Sequence, residues 1–184
     1  MEYAFKMFNK DLTCTLGKGK FQYEEGKWFE EPDANCAKNG FHCAKNPLDC
    51  LSYYRWNDSV CYLVEIGGDI DEDAHNSKIS CTRMRLHARL SLEDFVTAAC
   101  RYIYRHPLMP DNACVKAERA IAGNDHFCIA RGKDPKACGK LGDLIALLQE
   151  KQESREIRQA GVFEIDGVNL LPDIWYNVQG VADA

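Results

Sequence analysis

Val60-Cys61-Tyr62-Leu63-Val64-Glu65-Ile66, closed by Gly67-Gly68, decides the class of this chain. The run is rich in β-branched residues and almost continuously apolar. Such a run reads as a central strand, and the two glycines read as its end. A second strand follows. Over Ile79–Leu90 the residues alternate, with Thr82, Met84, Leu86, Ala88 and Leu90 on one face and Cys81, Arg83, Arg85, His87 and Arg89 on the other. Successive side chains of a strand point to opposite sides, so this strand is half-buried with a basic outer stripe. The two strands are natural antiparallel neighbours, and opposite charges commonly pair across such a ladder.

Working outward, Tyr3–Phe8 reads as an opening strand. Phe21-Gln22-Tyr23 and Lys27-Trp28-Phe29 flank Glu24-Glu25-Gly26 and predict a hairpin. Asn46-Pro47-Leu48-Asp49 predicts a helix start, with Asn46 as cap and Pro47 in the first turn. Ser91-Leu92-Glu93-Asp94 predicts another helix, whose apolar face is Leu92, Phe95, Val96, Ala99 and Ile103. His106-Pro107 stops it.

Beyond residue 110 the style changes. Residues 113–142 are rich in Ala and Gly, and Ile121-Ala122-Gly123-Asn124-Asp125 recurs loosely about eight residues later at Ile129. That pattern fits a short solenoid-like β segment, a loop or an irregular helix. Val162–Ile165, Asp166-Gly167 and Val168–Leu171 predict a tight hairpin. Residues 143–149 would supply its third strand and 174–178 a fourth. The expected class is α+β: a mixed or antiparallel sheet with short helices over residues 1–110, then a smaller β-rich part over 111–184 made of the Ala/Gly-rich segment and the hairpin.

Composition narrows the function classes. Of 184 residues, 46% are hydrophobic and 28% charged, which places the chain among globular proteins. No apolar run approaches the roughly 18 residues that a membrane helix needs. The first residues do not read as a secretion signal. A soluble, cytoplasmic protein with no membrane association is the expectation. The net charge of −5 argues against direct nucleic-acid binding. The ten cysteines include no C-x-x-C, so they read as free thiols acting as small apolar groups, with no metal and no cofactor expected.

One segment is distinctive: Gly40-Phe41-His42-Cys43-Ala44, then Asn46-Pro47-Leu48-Asp49 and Tyr53-Tyr54. A strand ending in a small-residue turn, then a short helix carrying tyrosines, resembles the central element of ADP-ribosyltransferase folds. Gly40, Ala44 and Tyr53 fit that spacing. His42 stands where those folds place a tyrosine, and Lys6 where their opening strand carries His or Arg. The resemblance implies a cleft formed by His42, Tyr53 and Tyr54 that binds a nicotinamide dinucleotide. No Glu-x-Glu turn follows Ile79–Leu90. In those enzymes that glutamate stabilises a cationic transition state, so its absence implies little or no transferase chemistry.

Charge clusters are the second feature. Glu24, Glu25, Glu30, Glu31 and then Asp69, Asp71, Glu72, Asp73 form two acidic patches that could meet a basic groove on a partner. Arg83, Arg85 and Arg89 form the basic stripe, suited either to phosphates or to the acidic segment beside it.

Several segments taken in order carry a wider resemblance. They are Phe8–Cys14, Phe21–Lys27, Gly40–Cys43, Lys78–Met84, Ile165-Asp166-Gly167 and Pro172–Tyr176. Together they resemble a widespread family of small proteins from gut Firmicutes, their phages and their plasmids. The resemblance extends to a type II-A anti-CRISPR protein of gut bacteria. It implies a non-enzymatic inhibitor that binds the host RNA-guided nuclease with its guide RNA and blocks DNA binding or cleavage. No catalytic residue is expected on that reading. The alternative is the ADP-ribosyltransferase-like enzyme or dinucleotide-binding protein.

Overall fold

The computed structural model describes residues 2–16, 19–36, 38–73 and 76–183. They divide into two units, Met1–Ser91 and Leu92–Ala184. The division falls earlier than the expected one after residue 110. The helix opened by Leu92 packs onto the strands that follow it, so it belongs to the second unit.

The first unit runs β1 (Glu2–Asn9), β2 (Thr13–Cys14), β3 (Phe21–Gln22), β4 (Trp28–Glu30), β5 (Phe41–Ala44), two 3₁₀ turns (Pro47–Ser52 and Trp56–Asp58), β6 (Ser59–Glu72) and β7 (Lys78–Arg89). β6 pairs with β1 along one edge and with β7 along the other. β7 takes β5 and then β4 on its far edge. β5 returns to β1 at Phe5↔Ala44. All these pairings are antiparallel, and the circuit β1–β6–β7–β5 closes on itself. Its buried residues include Ala4 and Phe8 of β1, Phe41 and Cys43 of β5, Val60, Tyr62, Val64 and Ile66 of β6, and Ile79, Cys81, Met84 and Leu86 of β7.

Three expectations change here. Gly67-Gly68 does not end β6; the ladder shifts register between Gly67 and Ile70 and continues. Gly68 sits at φ +73°, and a Cβ there would collide with Thr82 Oγ1. The pair is therefore a bulge that bends the strand. The hairpin predicted around Glu24-Glu25-Gly26 is absent. β3 pairs with β2, and β4 pairs with β7. Phe21, Tyr23, Phe29 and Phe41 pack edge to face, with Tyr23 and Phe29 5.1 Å apart, so aromatic packing overrides the local turn. The Asn46 segment is a six-residue 3₁₀ helix, capped by Asn46 Oδ1 accepting from Leu48 N at 3.1 Å.

The second unit runs α1 (Leu92–Arg105), β8 (Val115–Ile121), β9 (Phe127–Cys138), β10 (Leu144–Glu150) and β11 (Ile157–Glu164). α1 buries Phe95, Val96, Ala99, Cys100 and Ile103, nearly the face read from its 3.6-residue period. The sheet order is β11-β10-β9-β8. β8, β9 and β10 are parallel and β11 is antiparallel to β10. The Ala/Gly-rich segment thus stacks in parallel, but Val115 pairs with Ile129 and Ile121 with Cys138, not at the eight-residue offset.

The Asp166-Gly167 hairpin does not form. The Asp166 carboxylate accepts from the backbone N–H groups of Val168, Asn169 and Leu170 at 2.8, 2.7 and 3.1 Å. That capture curls the chain instead of returning it as a strand. Residues 174–178 form no strand and contribute isolated bridges from Tyr176 to Ala137 and to Ala182. Strands hold 47% of the residues and helices 13%, so the chain is β-rich with several sheets and fits the α+β description only loosely. No helix among the described residues is long and apolar enough to cross a membrane.

Candidate functional site

The first unit contains a cleft of about 570 Å³. β1 supplies Lys6, β5 supplies His42 and Cys43, and the 3₁₀ turn after it supplies Asp49 and Cys50. Tyr53 and Tyr54 follow that turn, and Lys78 opens β7. Tyr23, Phe41, Glu31 and Lys38 complete the part of the lining that matters chemically. His42, Tyr53 and Tyr54, grouped from sequence, therefore share one cleft.

Local structure fixes these positions. Gly40 turns the chain into β5 at φ +80°, and a Cβ there would collide with Ser80 Oγ and lie 3.0 Å from Cys81 O. Only glycine fits that approach. Ser77 ties the 3₁₀ turn to β7. Its hydroxyl donates to Asp49 Oδ2 at 2.6 Å and accepts from Asn46 N at 2.8 Å. Tyr54 donates to Cys14 Sγ at 3.4 Å. The Lys78 ammonium lies 5.2 Å from the Tyr53 ring centroid, and Tyr53 itself is exposed.

Lys6 is the residue that spacing alone did not single out. It is 9% exposed, and its ammonium donates to the His42 carbonyl oxygen at 2.6 Å. The rings of Phe8 and Tyr23 lie 5.5 and 5.6 Å from it. A signal was present: Ala4, Lys6 and Phe8 occupy alternate positions of one strand, and Ala4 and Phe8 are core. A lysine in an inward register is rarely there for packing alone.

The electrostatics follow from burial and the lysines. His42 is held below the usual histidine range, first by burial and then by Lys6 and Lys78. Burial pushes the Cys50 thiol up to about 12 and the Cys43 thiol well above its ordinary value. Cys81 is drawn down, chiefly by a hydrogen bond from Cys43. Burial likewise raises Tyr23 and Tyr54. The raised groups, Cys43, Cys50, Tyr23 and Tyr54, are therefore uncharged at neutral pH. The cleft offers ring faces, tyrosine hydroxyls and ammonium groups, which suits a planar anionic molecule.

Apart from Glu31, which lines the cleft, the charged clusters lie elsewhere and are largely engaged. Glu24 pairs with Lys27, Glu30 with Arg83, Glu72 with Lys45 and Asp73 with Lys78. Glu25 accepts from the Tyr62 hydroxyl and Asp71 from Cys36 N. Of the eight acidic residues, Glu31 and Asp69 alone have no side-chain partner among the described residues. In the basic stripe, Arg85 pairs with the buried Glu65, and Arg83 and Arg85 stack on Trp28 at 4.8 and 5.0 Å. Arg89 is exposed opposite Tyr62. Seven of the ten free cysteines are buried. No group of three His, Cys, Asp or Glu among the described residues is placed to hold a metal.

Fold and site define a β-rich chain whose first unit closes around a lined cleft. The chain belongs to the family of a domain of unknown function (DUF7666), whose model matches residues 3–98. That match spans β1 to β7 and enters α1. No curated protein and no solved structure matches the chain.

Proposed function

We propose that the first unit is a small-molecule-binding domain whose cleft takes a nucleotide-like ligand of the nicotinamide-dinucleotide class. The observation that carries this reading is the convergence of His42, Tyr53 and Tyr54 on one cleft of about 570 Å³. Ligand sites commonly span roughly 300–1,000 Å³ and combine apolar walls with a few placed polar groups. Tyr53 is exposed enough to stack on a planar base, and Lys78 lies beside it. The local resemblance to ADP-ribosyltransferase folds favours the same ligand class. Of the cleft carboxylates, Asp49 is already held by Ser77. With no Glu-x-Glu turn after β7, binding without glycosidic cleavage is the reading.

The test is a calorimetric titration of the full chain with the oxidised dinucleotide and with ADP-ribose, alongside chromatography for released nicotinamide. Binding is expected, Tyr53→Ala weakens it about tenfold, and nicotinamide release stays at the blank level. No heat of binding up to millimolar ligand would remove this reading.

The inhibitor reading is the second proposal, supported by the resemblance to the mobile-element family. Its specific observation is that Asp69 remains exposed and unpaired among the described residues, with Glu31 unpaired at the cleft. Most other members of both acidic patches are neutralised within the chain, which weakens steering toward a basic groove. Co-elution with a guide-loaded type II nuclease, and loss of target cleavage, would support it. Free passage of both proteins at micromolar concentration would end it.

A further inference from the structure

Lys6 is a buried cation with no carboxylate partner among the described residues. Its ammonium carries three N–H donors. Among the described residues it makes one hydrogen bond, to a neutral carbonyl, and no ion pair. The acidic groups that feel its charge are the thiols Cys43, Cys50 and Cys81. Burial keeps Cys43 and Cys50 protonated. Cys81, 3.5 Å from Phe41 O, is drawn the other way, by the hydrogen bond from Cys43 and by Lys6 itself. Cys43 and Cys50 therefore supply no charge at neutral pH, and no carboxylate pairs with Lys6 among the described residues.

A cation withdrawn from water without a counter-charge is strongly unfavourable. The ring faces of Phe8 and Tyr23 offset part of that cost. They do not use the two remaining donors. A methionine would fill the same space between Ala4 and Phe8 without the penalty. The lysine also lines a cleft, so the missing partner can enter from solvent. Lys78 lines the same cleft, and both ammonium groups disfavour a proton on His42. Two cations acting on one imidazole make a field that favours a multiply charged group over a single carboxylate.

We propose that Lys6 is an anion seat in the wall of this cleft, and that the ligand bound there places a phosphate or pyrophosphate group against its ammonium. This rests on the reading of the cleft as a ligand site and names the chemistry that site selects. Lysine binds phosphate as a point charge, and its free donors would each meet an anionic oxygen. Lys78, beside Tyr53 in the same lining, then assists, and the ring of Tyr53 receives the planar part of the ligand.

The experiment compares ADP, adenosine and inorganic pyrophosphate on the full chain, by calorimetry and by thermal shift. In the wild type ADP binds about 10- to 100-fold more tightly than adenosine. Pyrophosphate alone raises the melting temperature above that in sodium chloride of equal ionic strength. In Lys6→Met the preference for ADP falls toward unity while adenosine affinity holds. The unliganded variant melts at or above the wild-type temperature, because it loses a buried uncompensated charge. Equal wild-type affinities for ADP and adenosine would overturn the anion seat and leave the cleft reading standing. Binding of neither would overturn both. A folded Lys6→Met variant that still prefers ADP as the wild type does would also overturn the seat. Should Lys6→Met fail to fold, the wild-type comparison alone decides.

Discussion

The ammonium of Lys6 donates to the backbone carbonyl of His42 at 2.6 Å, so the barrel interior and the cleft wall are joined at one residue. The His42 imidazole then lies in the field of Lys6 and Lys78. Burial and those two charges hold its proton affinity below the ordinary histidine value of 6.5. The unfolded chain binds that proton more readily than the folded one. Stability is therefore complete above about pH 6.5 and is lost as pH falls through the lower, folded value. Melting temperatures from pH 8 to pH 5 should decline for the wild type more than for His42→Gln. The two curves should run parallel above pH 7. Parallel curves throughout would show that His42 does not carry the slope.

Gly40 determines whether β5 can enter the sheet. Alanine there meets two penalties, the positive φ and the collision with Ser80 Oγ. The left-handed conformation alone costs about 1–2 kcal/mol for a residue with a Cβ. Gly40→Ala should lose at least that much in urea unfolding and should weaken any cleft ligand, since His42 and Cys43 follow it. Gly26→Ala is the control. It shares a positive φ but would touch nothing within 4 Å, so its loss should be smaller and ligand binding unchanged. Equal losses at the two sites would mean that Ser80 yields without cost.

Much of the fold was legible because periodicity survives where a strand is long. β1, β6, β7 and α1 appear where alternation or a 3.6-residue period placed them. The failures have a common cause. At Gly67-Gly68, at Glu24-Glu25-Gly26 and at Asp166-Gly167 the sequence carries a strong local turn signal. Each time a partner distant in sequence or a captured amide decided the outcome: Thr82 beneath Gly68, β7 beside β4, and the Asp166 carboxylate on three successive N–H groups. The cleft was legible in part. The resemblance grouped His42 with Tyr53 and Tyr54, and alternation put Lys6 in an inward register, but that its ammonium meets a backbone carbonyl and no carboxylate needed the folded sheet.

Across the β6–β7 ladder Arg85 Nε lies 2.6 Å from Glu65 Oε2, and Tyr3 donates to the other carboxylate oxygen. The arginine holds the Glu65 carboxyl below its ordinary value of 4.5. Folding thus gains from this group above pH 4.5 and loses that gain as pH falls through the lower folded value. Arg85→Ala should melt below the wild type at pH 7, and the gap should narrow steadily below pH 4.5. Salt should not erase it at neutral pH, because Glu65 is 3% exposed and weakly screened. A gap that 1 M salt removes would reassign the pair to the surface class.

Arg131 gives the second unit its largest single-residue test. Its guanidinium is buried and uses four of its five N–H donors: Nε to Glu150 at 2.9 Å, Nη1 to Asp111 at 2.6 Å, Nη2 to the carbonyls of Pro107 and Arg155 at 2.6 and 2.9 Å. Removing it strands two carboxylates and two carbonyls, and breaking a buried pair from one side typically costs about 3–5 kcal/mol. Arg155 reaches the same carboxylates, so Arg131→Ala should fall near the lower end of that range. Arg155→Ala should cost no more than about 1 kcal/mol, because that side chain is 43% exposed. Trp175, under Arg119 in the same unit, reports the transition once Trp28 and Trp56 are changed to Phe. The midpoint in urea should drop with the slope unchanged, since the surface exposed on unfolding is the same. Equal effects of Arg131→Ala and Arg155→Ala would show that the buried network distributes its charge evenly and that Arg131 is not its centre.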